Sequence, residues 1–319
     1  MNHRAIVLAE ETWIAARALS AWLEAGHVVT EIWCGDGSSL TRPLRQPLAL
    51  AFPEWSVRRV IRRHRITVRQ CPLLRQWPAA VDQAKATRAD VLVNLLGLQI
   101  IPAPLLDYFG GRALNVHPAL LPLYRGACPR LAMIADGRAA EAGGVCVHVL
   151  TPGIDEGPIV AAQAVPFSTA SDYADWDARL ALAAAALVGG EVGEYLSGHR
   201  TARPQAEALA LYRKPVPGEL EIGTATTLAQ ARRLEATLGR IDRLVCKPPT
   251  GTTRRGLYHV TRIARVVGPP AGRPPSVGLR SITLDIVDAR VVLARRSVRD
   301  RLRVQCTAVA ALRRHRRGA

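Results

Sequence analysis

The sequence predicts an α/β protein built on a doubly wound, mainly parallel sheet, followed by a smaller β-rich C-terminal domain. Three observations carry this. Over the first two thirds of the chain, short apolar runs alternate with segments of helical period, the pattern of successive β–α units. The loops between them are short, and no internal repeat at solenoid periods is present. Beyond about residue 205 the pattern changes to strand-like runs separated by Pro- and Gly-rich turns.

The elements follow in order. Residues 5–9 read as a first strand. Residues 12–25 carry Ile14, Leu19, Trp22 and Leu23 on a helical period and stop at Gly26. Residues 28–33 form a second strand, and the Gly35-Asp36-Gly37-Ser38 loop follows. The spacing then predicts a helix over 54–64, a short strand over 66–68, a helix over 81–87 and a strongly apolar strand over 90–95. Ala113-Leu114-Asn115-Val116-His117 is closed by Pro118 and reads as a buried strand ending at a loop. Strands over 146–150 and 159–165 flank a loop containing Asp155, and one long Ala-rich helix over 173–195 closes the domain. Residues 1–205 form this domain, 206–223 a linker and 224–319 a small basic domain. The last contains an amphipathic helix over 228–238, strands over 258–267, 281–287 and 290–294, and turn-rich stretches at 248–251 and 269–275.

Charge is unevenly placed. Of a formal net charge of +17, residues 206–319 carry +15, with 23 Lys and Arg against 8 Asp and Glu. Such a surplus suits a polyanionic partner such as RNA, or a phosphorylated substrate. Equally, the Arg313-Arg314-His315-Arg316-Arg317 run reads as a solvated, disordered tail of an Arg- and Ala-rich sequence. No run of about eighteen apolar residues exists, so no membrane span is expected. Glu10 and Glu11 interrupt the first apolar run, which makes it a poor secretory signal. The six cysteines are scattered without a CxxC pair, so neither a disulfide framework nor a zinc site is expected, and a cytoplasmic location fits.

Three residues carry chemistry. Side chains at i and i+2 share one face of a strand, so Asn115 and His117 point the same way at a strand's carboxyl end. Open α/β sheets bind ligands at that edge. An amide there can donate to a developing oxyanion, and an imidazole can relay a proton or, protonated, polarise a carbonyl. Asp155, in the Gly153-Ile154-Asp155-Glu156-Gly157 loop, can orient the histidine or a water. Taken singly, an Asn-x-His is usually a strand end with satisfied hydrogen bonds, and an Asp in a Gly-rich turn is usually turn chemistry. The combined string singles them out.

That string, NVHPALLPLYRG at 115–126 and VHVLTPGIDEGPIVAAQAVPF at 147–167, resembles the folate-dependent formyltransferases, which include glycinamide ribonucleotide, methionyl-tRNA and amino-sugar formyltransferases. The resemblance covers roughly residues 1–222 and is specific over 113–167. It implies a formyltransferase-like Rossmann variant and 10-formyltetrahydrofolate as formyl donor. It places Asn115, His117 and Asp155 around the formyl group. It also implies that Gln99, Ile100 and Ile101, with Leu120, line the pterin pocket, and that Thr151, Gly153 and Ile154 close its other side. The segment 212–219 resembles the stretch leaving the catalytic domain in tRNA and sugar formyltransferases. The C-terminal domain is weakly similar to the small barrel of the tRNA enzymes.

Three departures concern the acceptor. Ala9-Glu10-Glu11-Thr12-Trp13 replaces both the Gly/Ser-rich phosphate loop of the glycinamide ribonucleotide enzymes and the Gly-Thr-Pro motif of the methionyl-tRNA enzymes. Backbone N–H groups in such loops cradle anions, and two glutamates repel them. Arg42-Pro43-Leu44-Arg45 only partly echoes the basic loop of the tRNA enzymes. The expectation is therefore an N-formyltransferase with a specialised small amine acceptor: an amino sugar, amino-acid derivative or peptide amine. Methionyl-tRNA is the alternative acceptor, with tRNA or another polyanion meeting the basic C-terminal third. A hydrolase transferring formyl to water would share the three residues, but usually carries an additional amino-terminal domain for which no room is expected before Ala5. A non-catalytic RNA- or folate-binding protein is the remaining alternative.

Overall fold

The computed structural model describes residues 2–41, 51–97, 99–167, 172–214, 219–239, 241, 243–248 and 257–316. The basic stretch at 42–45, residues 215–218 of the linker, residues 249–251 and Arg317 lie outside them.

The first sheet has seven strands: β1 (Arg4–Ala9), β2 (Val28–Cys34), β3 (Val68–Gln70), β4 (Val91–Leu95), β5 (Ala113–His117), β6 (Gly144–Val149) and β7 (Ile159–Ala164). Their order is β3-β2-β1-β4-β5-β6-β7. The pairs from β3 to β5 are parallel, and β5–β6 and β6–β7 are antiparallel. β6 and β7 are joined by the short Asp155 loop, which returns the chain antiparallel.

The central strands β1, β4, β5 and β6 are buried on both faces, and their side chains divide by period two. Ala5, Val7 and Ala9, Val91, Val93 and Leu95, and Leu114 and Val116 face one apolar cluster. Ile6, Leu8, Leu92 and Ala113 face the other. Helices α1 (Trp13–Glu24), α2 (Val57–His64), α5 (Pro129–Ala135), α6 (Ala139–Ala142) and α7 (Tyr173–Gly189) cover the first face. Helices α3 (Ala80–Ala86) and α4 (Ala103–Phe109) cover the second. Helix α1 starts where expected because the Thr12 side chain accepts from Ala15 N. It stops because Gly26 takes φ +85, a conformation that favours glycine.

Several expected elements differ in extent. The helix expected over 54–64 is a 3₁₀ turn, Pro53–Trp55, followed by α2, because Ser56 is extended at φ −128. The strand expected at 66–68 pairs instead over Val68–Gln70, since Arg65 at φ +54 re-aims the chain after α2. The helix expected over 173–195 is broken at Gly190 into α7 and α8 (Glu191–Leu196).

The second sheet has six strands in the order β11-β12-β13-β10-β9-β8, formed by β8 (Glu221–Ile222), β9 (Val245–Cys246), β10 (Tyr258–Gly268), β11 (Ser276–Val277), β12 (Ser281–Asp285) and β13 (Arg290–Arg295). Helix α9 (Leu228–Leu234) begins with a Thr227/Gln230 capping box and relaxes into a π turn over Glu235–Gly239. The disordered tail is overturned: Val298–Arg316 is helix α10, packed on α7. Ala308, Ala311 and Leu312 are buried along one side of it, and Arg314 and His315 both meet Asp175. Spacings of three and four put those apolar residues on one helical face, a stripe hidden by the surrounding arginines. No helix among the described residues is long and apolar enough to cross a membrane.

Candidate active site

Strands β4, β5 and β6 bring three polar side chains into one row. Asn94 pairs in register with Asn115, and Asn115 with His148. All three point to the face covered by α3 and α4, and all three are buried. Burial requires that their polar atoms be matched, and they are matched in one direction. Gly97 N–H donates to Asn94 Oδ1 (2.8 Å), Asn94 Nδ2 donates to Asn115 Oδ1 (2.9 Å), and Asn115 Nδ2 donates to His148 Nε2 (2.9 Å). The row ends where His148 Nδ1–H donates to Val149 O (2.9 Å). Gly97 is tightly fitted to this purpose: a Cβ there would lie 2.6 Å from Asn94 Oδ1 and 2.9 Å from Leu8 Cβ.

Asp155 reaches this row from the β6–β7 loop. Its Oδ1 accepts from Asn115 Nδ2 (3.2 Å) and lies 3.3 Å from His148 Nε2. Its Oδ2 accepts from Gly126 N–H (2.8 Å) and lies 3.5 Å from His117 Nδ1. The Asp155 backbone is left-handed at φ +54, a conformation tolerated by Asp and kept by its surroundings. Gly157 permits the tight return, since a Cβ there would lie 1.7 Å from Val149 O.

The protonation pattern follows from these contacts. Burial would raise the Asp155 carboxyl, but the adjoining His148 and His117 rings and the Gly126 N–H outweigh it. Together they hold the pKa down to about 2. His117 is pushed below its ordinary value, chiefly by burial and only partly offset by Asp155. A carbonyl can only accept, so His117 Nε2, 2.9 Å from Tyr124 O, carries the ring proton. The neutral ring therefore turns its Nδ1 lone pair toward Asp155. The site is an ionised carboxylate beside a neutral imidazole that becomes better partnered when Nδ1 takes up a proton.

Asn115, His117 and Asp155 are thus brought together. Thr151, Gly153 and Ile154 lie on the same loop as Asp155. Ile154 is 47% exposed, and Thr151 Oγ1 is buried without a hydrogen-bond partner among the described residues. Ile100 is 65% exposed, whereas Ile101 is buried in the core with Ile6 and Leu105. Gln99 turns toward the ends of β2 and β3: its Oε1 accepts from Leu74 N (2.8 Å) and its Nε2 lies 3.1 Å from the position of a Cβ on Gly35. Leu120 packs over Gly144 at the start of β6. Sequence reasoning missed Asn94 and His148. Each is a polar residue alternating with buried Val or Leu in a strand, and that alternation was the available signal.

Glu10 and Glu11 anchor neighbouring backbone. Glu10 Oε2 accepts from Ser39 N (2.8 Å), and Glu11 Oε2 accepts from Arg58 N (3.1 Å) in the first turn of α2. Among the described residues no group of His, Cys, Asp and Glu is arranged to hold a metal.

The chain is similar to several known proteins. A family model described as formyl transferase matches residues 66–188. A methionyl-tRNA formyltransferase from Phenylobacterium zucineum is 32% identical over 65% of this chain and 65% of its own length. One from Dechloromonas aromatica is 30% identical over 74% of this chain and 67% of its own. The chain thus spans about two thirds of the length of these relatives. An N-formyltransferase from Helicobacter canadensis, solved with folinic acid and dTDP-3-aminofucose, shares the fold with a TM-score of 0.54 at 14% identity, over 93% of this chain and all of that one. The chain belongs to the formyl transferase family.

Proposed function

We propose that this protein transfers a formyl group from 10-formyltetrahydrofolate to the amine of a small acceptor. The observation that carries the reading is the meeting of Asn115, His117, His148 and Asp155 at the carboxyl edge of the sheet, with one carboxylate held ionised and one imidazole held neutral. The donor fits the residues present. Ile100 and Ile154 offer exposed apolar surface to a flat heterocycle, and the unpartnered Thr151 Oγ1 offers it a polar contact.

When bound, the donor supplies a formyl carbon on its N10 nitrogen, and transfer forms a C–N bond to the acceptor while the C–N10 bond breaks. The protein's part is to move one proton and exclude water. The attacking amine loses a proton, which His117 Nδ1 can hold because Asp155 Oδ2 stabilises the imidazolium. The proton is then available to the departing nitrogen. Asn115 has both N–H groups committed to His148 and Asp155, so its role is to fix the carboxylate.

The small-acceptor reading is supported by the Glu10–Glu11 loop, whose carboxylates are tied to Ser39 and the first turn of α2 and repel an anion. Methionyl-tRNA is the second reading, favoured by the names of the relatives and by the basic C-terminal third. Incubation with 10-formyltetrahydrofolate and a panel of amino sugars, amino-acid derivatives, peptides and initiator methionyl-tRNA, followed by mass spectrometry, separates them. Formylation of a small amine supports the first reading. Faster formylation of the tRNA overturns it in favour of the second, and no formyl transfer to any amine overturns both.

A further inference from the structure

The residues that hold Asp155 are not confined to the strands. The chain returns across the site after α8 as an extended strap. It pairs Arg203 with Ile159 through hydrogen bonds of 2.7 and 2.8 Å, then pairs with the segment after β5. Leu211 N donates to Pro122 O (3.0 Å), Arg125 N to Leu211 O (2.9 Å), and Arg213 N to Arg125 O (2.8 Å). Between these pairings Gln205 turns inward. Its Nε2 donates to both Asp155 O (2.8 Å) and Gly157 O (2.7 Å).

The other end of Gln205 is also fixed. Its Oε1 accepts from Arg125 Nε (3.1 Å) and Nη2 (2.9 Å), and the buried Arg125 guanidinium is completed by Glu207. Arg125 precedes Gly126, whose N–H donates to Asp155 Oδ2. The contacts close a ring. Gln205 holds the Asp155 main chain, Gly126 holds its carboxylate, and Arg125 ties those two holders together. A left-handed non-glycine residue persists only where its surroundings over-determine it, and this ring does so.

We infer that Gln205 is a positioning residue that sets the Asp155 carboxylate against His117 through its two hydrogen bonds to the Asp155 loop. The inference rests on Asp155 acting in the proposed reaction. It makes the strap part of the active site, although the sequence marks it only as the end of the domain and a linker. The amide is specifically required: the loop presents two carbonyl oxygens, which need a donor, while Arg125 needs an acceptor, and glutamine alone supplies both at that length.

Gln205→Glu and Gln205→Met in the full chain separate the two halves of this role. Glutamate keeps the acceptor for Arg125 and loses the donor to the loop. Methionine keeps the volume and loses both. Turnover is read with 10-formyltetrahydrofolate and hydroxylamine, and the His117 ring is titrated by NMR with Asp155→Asn as reference. Both variants are expected to lose about tenfold to a hundredfold in kcat, the scale of a misplaced catalytic group, with KM for the donor within about twofold. In both, the His117 titration should move downward, as in Asp155→Asn, because the carboxylate no longer supports the imidazolium. Wild-type kcat and an unmoved His117 titration in both variants overturn the inference. So does a wild-type-like Gln205→Glu beside a defective Gln205→Met, which would reduce Gln205 to a partner of Arg125. If both variants fail to fold, Gln205 is a folding element and the inference also falls. If Asp155→Asn itself turns over normally, the proposed reaction falls, while the His117 titration still decides whether Gln205 positions the carboxylate.

Discussion

Asn115 and His148 face each other across the antiparallel β5–β6 pair, and Asn115 Nδ2 donates to His148 Nε2 at 2.9 Å. This contact sets the direction of the whole row from Gly97 to Val149. It leaves Asn115 Oδ1 as the acceptor for Asn94 and gives the second Asn115 N–H to Asp155. The polar atoms of Asn94 and Asn115 are therefore matched within the protein itself.

Breaking the row at its start should be costly. Asn94→Ala removes the donor to the buried Asn115 Oδ1 and the acceptor for Gly97 N–H. Stability should fall by about 1–3 kcal/mol, the cost of leaving a buried polar group unmatched. Urea unfolding measures this. A change below about 0.5 kcal/mol would mean that water replaces Asn94 freely. Turnover should fall as well, since Asn115 is then free to rotate away from Asp155.

His117→Ala and Asp155→Ala should each lower kcat by at least about two orders of magnitude, typical for a group that moves or stabilises a proton. Because the two act on one proton, the double variant should be little worse than either single one. Steady-state kinetics with the best acceptor from the panel tests this, and full additivity would separate their roles.

Stability should depend on acid in two steps. The folded pKa of His117 lies below its ordinary 6.5, so the unfolded chain takes up that proton first, and stability declines as pH falls below about 6.5. The folded pKa of Asp155 is lowered from 3.8 to about 2, so its contribution is present above about 3.8 and is lost as pH falls toward about 2. That second step amounts to about 2 kcal/mol. Urea midpoints across this range should show both declines in the wild type. Glu31, Asp90 and Asp175 are also held below their ordinary values, so Asp155→Asn should make the lower decline shallower without abolishing it, and an unchanged decline would assign it to those carboxylates alone.

The basic C-terminal third makes a prediction about polyanions. If its arginines meet tRNA, the full chain should bind with a log–log salt slope of roughly 0.7–0.9 for each phosphate neutralised. Charge reversal at Arg299, Arg301 and Arg303, which lie exposed on α10, should flatten that slope. In contrast, Arg314→Ala removes an exposed contact to Asp175 and should change stability by less than about 1 kcal/mol. A salt slope unaffected by the triple reversal would place any tRNA contact elsewhere.

The sequence by itself determined the β–α alternation, the buried strand ending at His117 and the Asn115/His117/Asp155 set, because each rests on short-range rules. Period two puts residues 115 and 117 on one face, and glycines flanking Asp155 mark a tight loop. What only the tertiary structure decided is which groups complete that set. Asn94 and His148 reach Asn115 from 21 and 33 residues away, and Gln205 reaches Asp155 from 50. Strand order and the path of the returning strap create those contacts, and neither leaves a local periodicity in the chain. The same holds for α10. Its arginines suggest a solvated tail until α7 supplies the surface that buries Ala308, Ala311 and Leu312 and the carboxylate that receives Arg314.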